Sequence, residues 1–339
     1  MPVIAFCTNG GPLIGLGHLR RCMTLAGVLQ RHGVVVRFAV NRAPGVLEVL
    51  RQAGFEVVSV GREGELDLSE VLQHIARWGA QALVIDSYTV QGQHLARPGM
   101  PVLAVIDDLA DQTWPVDLVI NGAANAHELV YRTSPHTRLL LGTQYALLRE
   151  EFAQEPNRLI RKAVQRVLIA VGGMDRFGLT LRLMEWTREA LGGGALDVVV
   201  GPFFSEADTH QLERATRSQT DITLHRDPPK IRDLMLSCDV AIAGGGQTTY
   251  ELAATGTPSL AIRIFDNQTG NVTALSAKNT LMWVGDAQDK DLHEKVLRAL
   301  VQLSDEPGRR EAMSRSGRLL VDGCGAQRVA TAMLDICNR

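Results

Sequence analysis

A glycine-rich stretch near the N-terminus ends in a histidine that is placed to accept a proton. Residues 9–22 contain the run Gly-Leu-Gly-His, which ends at His18 and leads into a stretch of helical period. Gly15 and Gly17 allow the backbone to approach a ligand closely, because glycine carries no side chain. A helix N-terminus disfavours a protonated imidazole, so we expect a neutral His18 that acts as a base. A tight turn that only begins a helix would use the same residues.

Two further glycine-rich segments are typical of turns that hold phosphates. Gly172 and Gly173 follow an apolar run and offer backbone N–H groups to a phosphate or a base edge. Residues 244–246 are three glycines, followed by two threonines and Glu251. Such a helix start can bind an anion, and the carboxylate of Glu251 can accept two hydrogen bonds from a ribose diol. The alternative for Glu251 is that it only complements the helix dipole.

Common nucleotide and metal motifs are absent from the sequence. Arg20 occupies the place of the last glycine in G-x-G-x-x-G, and no Gly-Lys-Ser/Thr follows. The carboxylates of Asp86, Asp107 and Asp108 end two apolar runs, but no histidine or further carboxylate stands at ligand spacing. We therefore expect neither a metal ion nor a cofactor.

The elements that must position these residues follow an alternating pattern. Short Val- and Ile-rich runs alternate with amphipathic stretches, which is typical of βαβ units around a parallel sheet. The clearest predicted helices are 19–31 and 68–78, and the chain from residue 292 onward is predicted helical. The predicted strands are 3–6, 34–40, 56–60, 82–86, 102–106 and 118–120 in the first half, and 166–171, 197–200, 222–224, 240–243, 259–262 and 282–284 in the second.

This pattern occurs twice and predicts an α/β protein with two Rossmann-like, doubly wound domains. The expected domains are residues 1–153 and 166–339, joined by the polar segment 154–165. A chain of 339 residues suits two cores of roughly 150 residues each. Two domains predict a small-molecule site in the cleft that they form.

Composition excludes several classes of partner. Lys and Arg number 35 against 37 Asp and Glu, so there is no basic field for nucleic acid or an anionic membrane. The five cysteines are scattered and form no C-x-x-C pair, which favours buried thiols over a disulfide framework or a zinc site. The N-terminus has no basic region with a cleavage site, and no apolar run approaches ~20 residues. We expect a cytoplasmic protein, and a monomer.

Taken together, these residues resemble a known family: the UDP-sugar hydrolases of pseudaminic acid biosynthesis, which are inverting enzymes with the two-domain fold of the GT-B glycosyltransferases. The turn at 244–251 is also similar to the ribose-binding turn of the glycosyltransferase that makes the second lipid intermediate of peptidoglycan. The matching segments span nearly the whole chain in the family's order: 14–18 with Arg21 and Cys22, 86–88, 106–109, 145–152, 172–175, 245–251, 266–268 and 322–326.

The resemblance implies a reaction and a set of site residues. Water would attack the anomeric carbon with His18 as general base, and the diphosphate would leave into the second domain. The implied substrate-binding residues are Asn9, Gly17, Arg21, Tyr88, Asn121, Asn267 and Gln268. The implied nucleotide-binding residues are Gly172, Gly173, Gly245, Gly246, Gln247, Thr248, Thr249 and Glu251.

The sequence departs from the family pattern at two places. Before the Gly-x-Gly-His, the family typically has Arg-x-Asp-x-Ser, whereas Cys7, Asn9 and Gly11 stand here. Gln247 replaces a small Ser or Thr. Either the sugar or the chemistry therefore differs, and two other functions stay open: a GT-B glycosyltransferase in which His18 deprotonates an acceptor hydroxyl, and a sugar-nucleotide-binding protein without catalysis.

Overall fold

The protein is described by a computed structural model that covers residues 1–11, 14–95, 99, 101–156 and 158–338. These residues form two compact α/β units. The first unit contains residues 1–150 and the segment that begins at Gly323, and the second contains Glu151–Asp322. The predicted fold class, two Rossmann-like domains with parallel sheets, is confirmed.

The first unit is built on parallel strands whose residues are buried on both faces of the sheet. Its described strands are β1 Val3–Thr8, β2 Val35–Asn41, β3 Glu56–Val60, β4 Ala82–Asp86, β5 Val102–Ile106, β6 Thr113–Trp114, β7 Leu118–Asn121, β8 Arg132–Thr133 and β9 Arg138–Leu141. Seven of them form one parallel sheet in the order β3-β2-β1-β4-β5-β7-β9, while β6 pairs with β8. Because β1 and β4 are neighbours, Thr8 lies opposite Asp86 where both strands end.

Helices of the first unit cover this sheet and begin or end at residues that suit those positions. The described helices before residue 151 are α1 Gly17–Arg31, α2 Val46–Gln52 and α3 Leu68–Trp78. At the start of α3, the Asp67 carboxylate accepts hydrogen bonds from the backbone N–H groups of Ser69 and Glu70, at 2.8 and 3.1 Å. Such an N-cap satisfies donors that the helix itself cannot pair. The predicted bounds of α3 agree with the structure.

The second unit repeats the architecture with six parallel strands. Its described strands are β10 Arg166–Ala170, β11 Ala195–Val200, β12 Ile222–Arg226, β13 Val240–Gly244, β14 Ser259–Arg263 and β15 Met282–Asp286. Its described helices are α4 Leu179–Leu191, α5 Glu206–Thr216, α6 Ile231–Ser237, α7 Thr248–Ala254, α8 Thr269–Ala277, α9 Leu292–Asp305 and α10 Pro307–Leu320. The strand order β12-β11-β10-β13-β14-β15 is doubly wound. Ligands of such sheets bind beyond the carboxyl ends of the strands.

The last helix, α11 Gly325–Cys337, belongs to the first unit, whereas the sequence predicted a second domain that extends to residue 339. Its residues Val329 and Met333 are buried. The Arg328 guanidinium donates a hydrogen bond to the Gln144 carbonyl at 2.9 Å. The apolar face of α11 is thus buried on a surface that is distant in sequence, which a local pattern does not reveal.

The segment predicted as a linker, 154–165, packs on the second unit; residue 157 lies outside the described residues. The Arg158 guanidinium donates to the carbonyls of Met235 and Cys238, each at 2.7 Å. The backbone N–H of Gln165 donates to Asp239 at 2.8 Å. These contacts fix the entry to β10.

Candidate functional site

The predicted base lies at the start of α1, directly after the glycine-rich turn that follows β1. Pro12 and Leu13 lie outside the described residues, and on either side of them Gly15 N–H donates to the Gly11 carbonyl at 2.8 Å. Gly15 has φ +88°, a backbone conformation that favours glycine. A Cβ atom at Gly15 or Gly17 would meet no atom within 4 Å. The turn therefore closes on itself and delivers His18 to the first turn of the helix.

His18 is oriented by a buried carboxylate. Its Nδ1 lies 2.6 Å from Oδ1 of Asp86, which ends the neighbouring strand β4 and is fully buried. Since a carboxylate only accepts, Nδ1 must carry a proton, and in the neutral imidazole Nε2 then keeps its lone pair. Arg21 Nη2 also lies 3.1 Å from Nδ1. Two donors cannot share one bond, so we regard this as a close approach.

Asp86 is saturated with donors. Arg21 donates from Nε to Oδ2 and from Nη2 to Oδ1, both at 2.6 Å, and the Cys22 thiol lies 3.5 Å from Oδ2. Burial opposes ionisation of Asp86, but the attraction of Arg21 and His18 outweighs it, and the pKa of Asp86 is lowered to about 2. Burial, with the nearby Asp86 charge, raises the pKa of Cys22, which therefore remains a thiol. Asp86 is thus an anion at neutral pH.

A second carboxylate, Asp108, extends this network. Its Oδ2 accepts from Arg21 Nη1 at 3.0 Å, and its Oδ1 accepts from the Tyr88 hydroxyl at 2.8 Å. The Tyr88 ring meets the His18 ring edge-on, with centroids 4.6 Å apart. The five side chains form a closed ring of contacts; its members are His18, Asp86, Arg21, Asp108 and Tyr88.

Chemically, this ring of contacts is suited to accept a proton at Nε2. A base whose second nitrogen donates to a carboxylate keeps one tautomer, and the carboxylate stabilises the imidazolium that forms. The N-terminus of α1 has the opposite effect on the imidazolium, since its dipole is positive there. The sequence pattern suggested Asp86 and Asp108 only as candidate metal ligands. The neighbouring positions of β1 and β4 in the sheet would have been the signal for their true contacts.

The two predicted substrate-binding asparagines of the first unit differ in their hydrogen bonds. Asn121 donates to the Tyr131 hydroxyl at 2.9 Å and accepts from the Ala123 N–H at 2.8 Å. Asn9 donates to the Gly64 carbonyl at 3.3 Å, but its buried Oδ1 has no partner within the described part of the chain. A buried acceptor without a partner is costly unless a donor reaches it. Asn9, unlike Asn121, thus has a side-chain acceptor without a partner among the described residues.

In the second unit, the turns that follow β10 and β13 touch each other. A Cβ atom at Gly244 would lie 2.3 Å from the Val171 carbonyl oxygen, so only glycine permits this approach. Gly172 has φ +138°. Asp175, from the same segment, accepts from the N–H groups of Leu179 and Thr180, both at 2.7 Å, and so stabilises the start of α4. Gly172 and Gly173 are therefore brought beside the glycines that precede α7.

The glycines before α7 are held by side chains that sequence analysis assigned to the ligand or overlooked. Thr249 Oγ1 donates to the Gly246 carbonyl at 2.7 Å. Asn271 Nδ2, which was not predicted, donates to the Gly245 carbonyl at 2.8 Å. Gln268 Oε1 accepts from Ile264 N–H at 2.9 Å, which is a contact within the segment after β14. Thr249 and Asn271 thus shape the glycine turn itself.

The other predicted residues of this region are accessible. Gln247, Thr248 and Glu251 are partly exposed, and Asn267 is exposed. All four lie after β13 or β14, at the carboxyl edge of the sheet. The structure thus brings the predicted nucleotide-binding residues Gly172, Gly173, Gly245, Gly246, Gln247, Thr248, Thr249 and Glu251 to one edge.

No group of three or more His, Cys, Asp or Glu side chains in the described residues could hold a metal ion. Nor does any helix in the described chain combine the length and the apolar composition needed to cross a bilayer.

Comparison with curated proteins shows similarity along most of the chain, although no protein-family model matches it. It is 24% identical over 345 residues to the spore coat polysaccharide biosynthesis protein SpsG of Bacillus subtilis, with 98% of each chain covered. It is 23% identical over 280 residues to the UDP-2,4-diacetamido-2,4,6-trideoxy-beta-L-altropyranose hydrolase of Campylobacter jejuni, covering 81% of this chain and 96% of that protein.

A third relative is the pseudaminic acid cytidylyltransferase and UDP-2,4-diacetamido-2,4,6-trideoxy-beta-L-altropyranose hydrolase of Helicobacter pylori, 24% identical over 261 residues, or 75% of this chain. The chain spans about half the length of two relatives that it matches. It covers 43% of the Helicobacter pylori protein and 54% of an uncharacterized protein from Methanocaldococcus jannaschii. The predicted resemblance to these hydrolases is confirmed.

Solved structures confirm the GT-B fold. MurG of Acinetobacter baumannii has a TM-score of 0.63 at 14% identity, with 98% of this chain and 99% of that chain covered. The spinosyn rhamnosyltransferase SpnG, in complex with thymidine diphosphate, has a TM-score of 0.65 at 16% identity, with 98% and 100% covered. Both likenesses concern the fold alone.

Proposed function

We propose that this protein hydrolyses a UDP-linked amino deoxy sugar at the anomeric carbon, with C–O cleavage and inversion. The observation that carries the proposal is the 2.6 Å contact between His18 Nδ1 and the buried Asp86, which leaves Nε2 as the proton acceptor. The two relatives that are named as hydrolases of a UDP-linked diacetamido sugar support the substrate class, and pseudaminic acid biosynthesis as its setting.

In the proposed step, a water oxygen attacks C1 of the sugar while His18 Nε2 takes one of its protons. The C1–O bond breaks, and its electron pair leaves on the β-phosphate oxygen of UDP. The products are UDP and the free sugar with inverted C1 configuration, and His18 then returns its proton to solvent. A nucleoside diphosphate is a good leaving group, so backbone donors suffice to stabilise its charge.

The second unit would bind UDP through its glycine turns and Glu251, and the first would contact the sugar. Asn9 is the stronger polar candidate of the two asparagines predicted to bind substrate in this unit, because its Oδ1 has no partner among the described residues. Arg21 donates to Asp86 and Asp108, so we propose that it acts on substrate through them.

Isotope labelling tests this proposal. The purified protein would be incubated in ¹⁸O-water with UDP-2,4-diacetamido-2,4,6-trideoxy-β-L-altropyranose, and with UDP-N-acetylglucosamine as a second probe. We expect UDP release, with the label in the sugar and none in UDP by mass spectrometry. Label in UDP would contradict C–O cleavage. Release only after an alcohol is added would indicate a glycosyltransferase, and binding without release would indicate a non-catalytic protein.

A further inference from the structure

The negative charge of Asp86 is compensated before it acts on His18. Arg21 binds both oxygens of that carboxylate, each at 2.6 Å, in the bidentate geometry that favours strong pairing. A carboxylate and a guanidinium in such contact have no net charge as a pair. By itself, the neutral pair would therefore stabilise an imidazolium at His18 only because the carboxylate lies nearer to the imidazole than the guanidinium does.

Asp108 supplies a second negative charge to the same guanidinium. With Asp86 and Asp108 ionised and Arg21 protonated, the three side chains carry a net charge of about −1 while the imidazole is neutral. Transfer of a proton to His18 brings the set to neutrality. Asp108 thus favours the imidazolium, and it does so through Arg21 Nη1, 3.0 Å from its Oδ2.

Asp108 also holds the side chain that packs on the imidazole. The Tyr88 hydroxyl donates to Asp108 Oδ1 at 2.8 Å, and the Tyr88 ring lies edge-on to His18. Tyr88 is 38% exposed, so this hydrogen bond restrains a ring that solvent reaches. One carboxylate therefore connects the charge and the packing of His18.

Among the described residues, only the carboxylates of Asp86 and Asp108 pair with Arg21. Cys7 on β1 and Cys22 on α1 are buried thiols, and burial raises the pKa of Cys7 to about 12. Asp107 is buried, and burial raises the pKa of its carboxyl. The groups that face His18 or its carboxylates are Asp86 and Tyr88 after β4, Arg21 and Cys22 from α1, Cys7 from β1, and Asp107, Asp108 and Asp111 after β5.

We propose that Asp108 is a positioning residue of the His18 base, which strengthens the base through Arg21 and fixes the Tyr88 ring against it. The proposal rests on the proposed function, because it assumes that His18 accepts the proton of the attacking water. It assigns a role to a side chain that touches neither the imidazole nor, in our proposal, the substrate.

The test compares Asp108→Asn, Asp108→Ala and a matched control, Asp111→Asn. Asp111 lies three residues further along the same loop and is exposed, so its substitution removes the same charge without touching Arg21 or Tyr88. Asp108→Asn removes the charge but keeps an acceptor for the Tyr88 hydroxyl, whereas Asp108→Ala removes both. Cooperative thermal unfolding checks that each variant folds, and if Asp108→Ala does not, Asp108→Asn still carries the test.

We expect Asp108→Asn to move the midpoint of the acid limb of kcat/KM to lower pH by about half to one unit, because the imidazolium loses a stabilising charge. The plateau kcat should fall about three- to tenfold, since a weaker base is a poorer catalyst. Asp108→Ala should show the same displacement and, in addition, about a fivefold higher KM, because Tyr88 loses the hydrogen bond that it donates to Asp108. Asp111→Asn should stay within about twofold of the wild type in every parameter.

A readout without substrate separates this inference from the proposed function. With ¹⁵N-labelled histidine, the NMR titration midpoint of His18 should move in the same direction in Asp108→Asn, and not in Asp111→Asn. An unchanged midpoint in Asp108→Asn overturns the inference even if the enzyme is active. Full hydrolysis by a His18→Ala variant would instead overturn the proposed function, whatever the titration shows.

Discussion

The two sheets have the same order around their centres, yet the corresponding strands end in opposite kinds of residue. In the first unit, the strand beside the central one, β4, ends in the buried carboxylate of Asp86, which binds His18 and Arg21. In the second unit, the matching strand β13 ends in Gly244, whose missing side chain lets two turns touch. One topology thus provides a charged side-chain network in one case and closely packed backbone in the other.

This difference indicates that the two units suit different chemical tasks. Proton transfer needs a side chain held in one tautomer, which the carboxylate provides. Binding of a diphosphate needs backbone N–H groups and space, which glycine provides. We therefore expect substitutions in the first unit to change turnover, and those in the second to change nucleotide affinity.

The largest expected effect is that of His18→Ala. Loss of a general base should lower kcat by about 10²- to 10⁴-fold, while the dissociation constant of UDP, measured by calorimetry, stays within about twofold. His136→Ala is the matched control, because His136 is an exposed residue in the same unit. If His18→Ala weakened UDP binding as much as it lowered kcat, turnover and nucleotide binding would not be divided between the two units.

Asp86→Asn should reveal the charge that the first unit stabilises. The folded-state pKa of Asp86, about 2, lies below its ordinary value of about 4, so ionisation contributes about 2–3 kcal/mol to stability at neutral pH. Because the pKa is lowered, this contribution is present above pH about 4 and is lost as the pH falls toward 2.

Urea unfolding of wild type and Asp86→Asn at pH 7, 5 and 3 measures this contribution. The difference in unfolding free energy should be large at pH 7 and 5 and smaller at pH 3, where the Asp86 carboxyl is mostly protonated in the unfolded chain but still ionised in the folded protein. A difference that does not change with pH would mean that the carboxylate contributes packing rather than charge.

Gly244→Ala should act on the second unit alone. The added Cβ would lie 2.3 Å from a backbone oxygen, so the turns after β10 and β13 must separate. We expect about a tenfold weaker affinity for UDP and a loss of about 1–3 kcal/mol in stability. Gly308→Ala, where an added Cβ meets nothing within 4 Å, should leave UDP affinity unchanged and cost no stability, because alanine is favoured over glycine within helix α10.

The smallest expected effect distinguishes Asn9 from Asn121, the two asparagines of the first unit that were predicted to bind substrate. Asn9→Ala should raise KM about three- to tenfold, because a substrate donor would lose its acceptor, with little change in stability. Asn121→Ala should leave KM unchanged and cost about 1–3 kcal/mol, because the Ala123 N–H loses its acceptor and the Tyr131 hydroxyl loses one of its two hydrogen bonds. The reverse result would assign the sugar contact to Asn121.

Most of the architecture was predictable because the relevant signals are local. All strands of the two large sheets except β9, and helix α3, appear in the sequence as apolar runs and helical periods, and the structure places them close to the predicted bounds. Strand β9 and the pair β6 and β8 were not predicted, since they are short or partly exposed. The assignment of α11 to the first unit depends on what its apolar face packs against.

Local sequence patterns were enough to predict the doubly wound class, the glycine turns after the strands and the place of His18 at the start of a helix. Each of these features depends on residues that are neighbours in the chain. The contact of His18 with Asp86, 68 residues away, and the bridge that Arg21 makes between Asp86 and Asp108 became visible only in the folded protein. The reason is physical: parallel pairing of β1 with β4 brings their carboxyl ends together. No local pattern specifies which strands become neighbours.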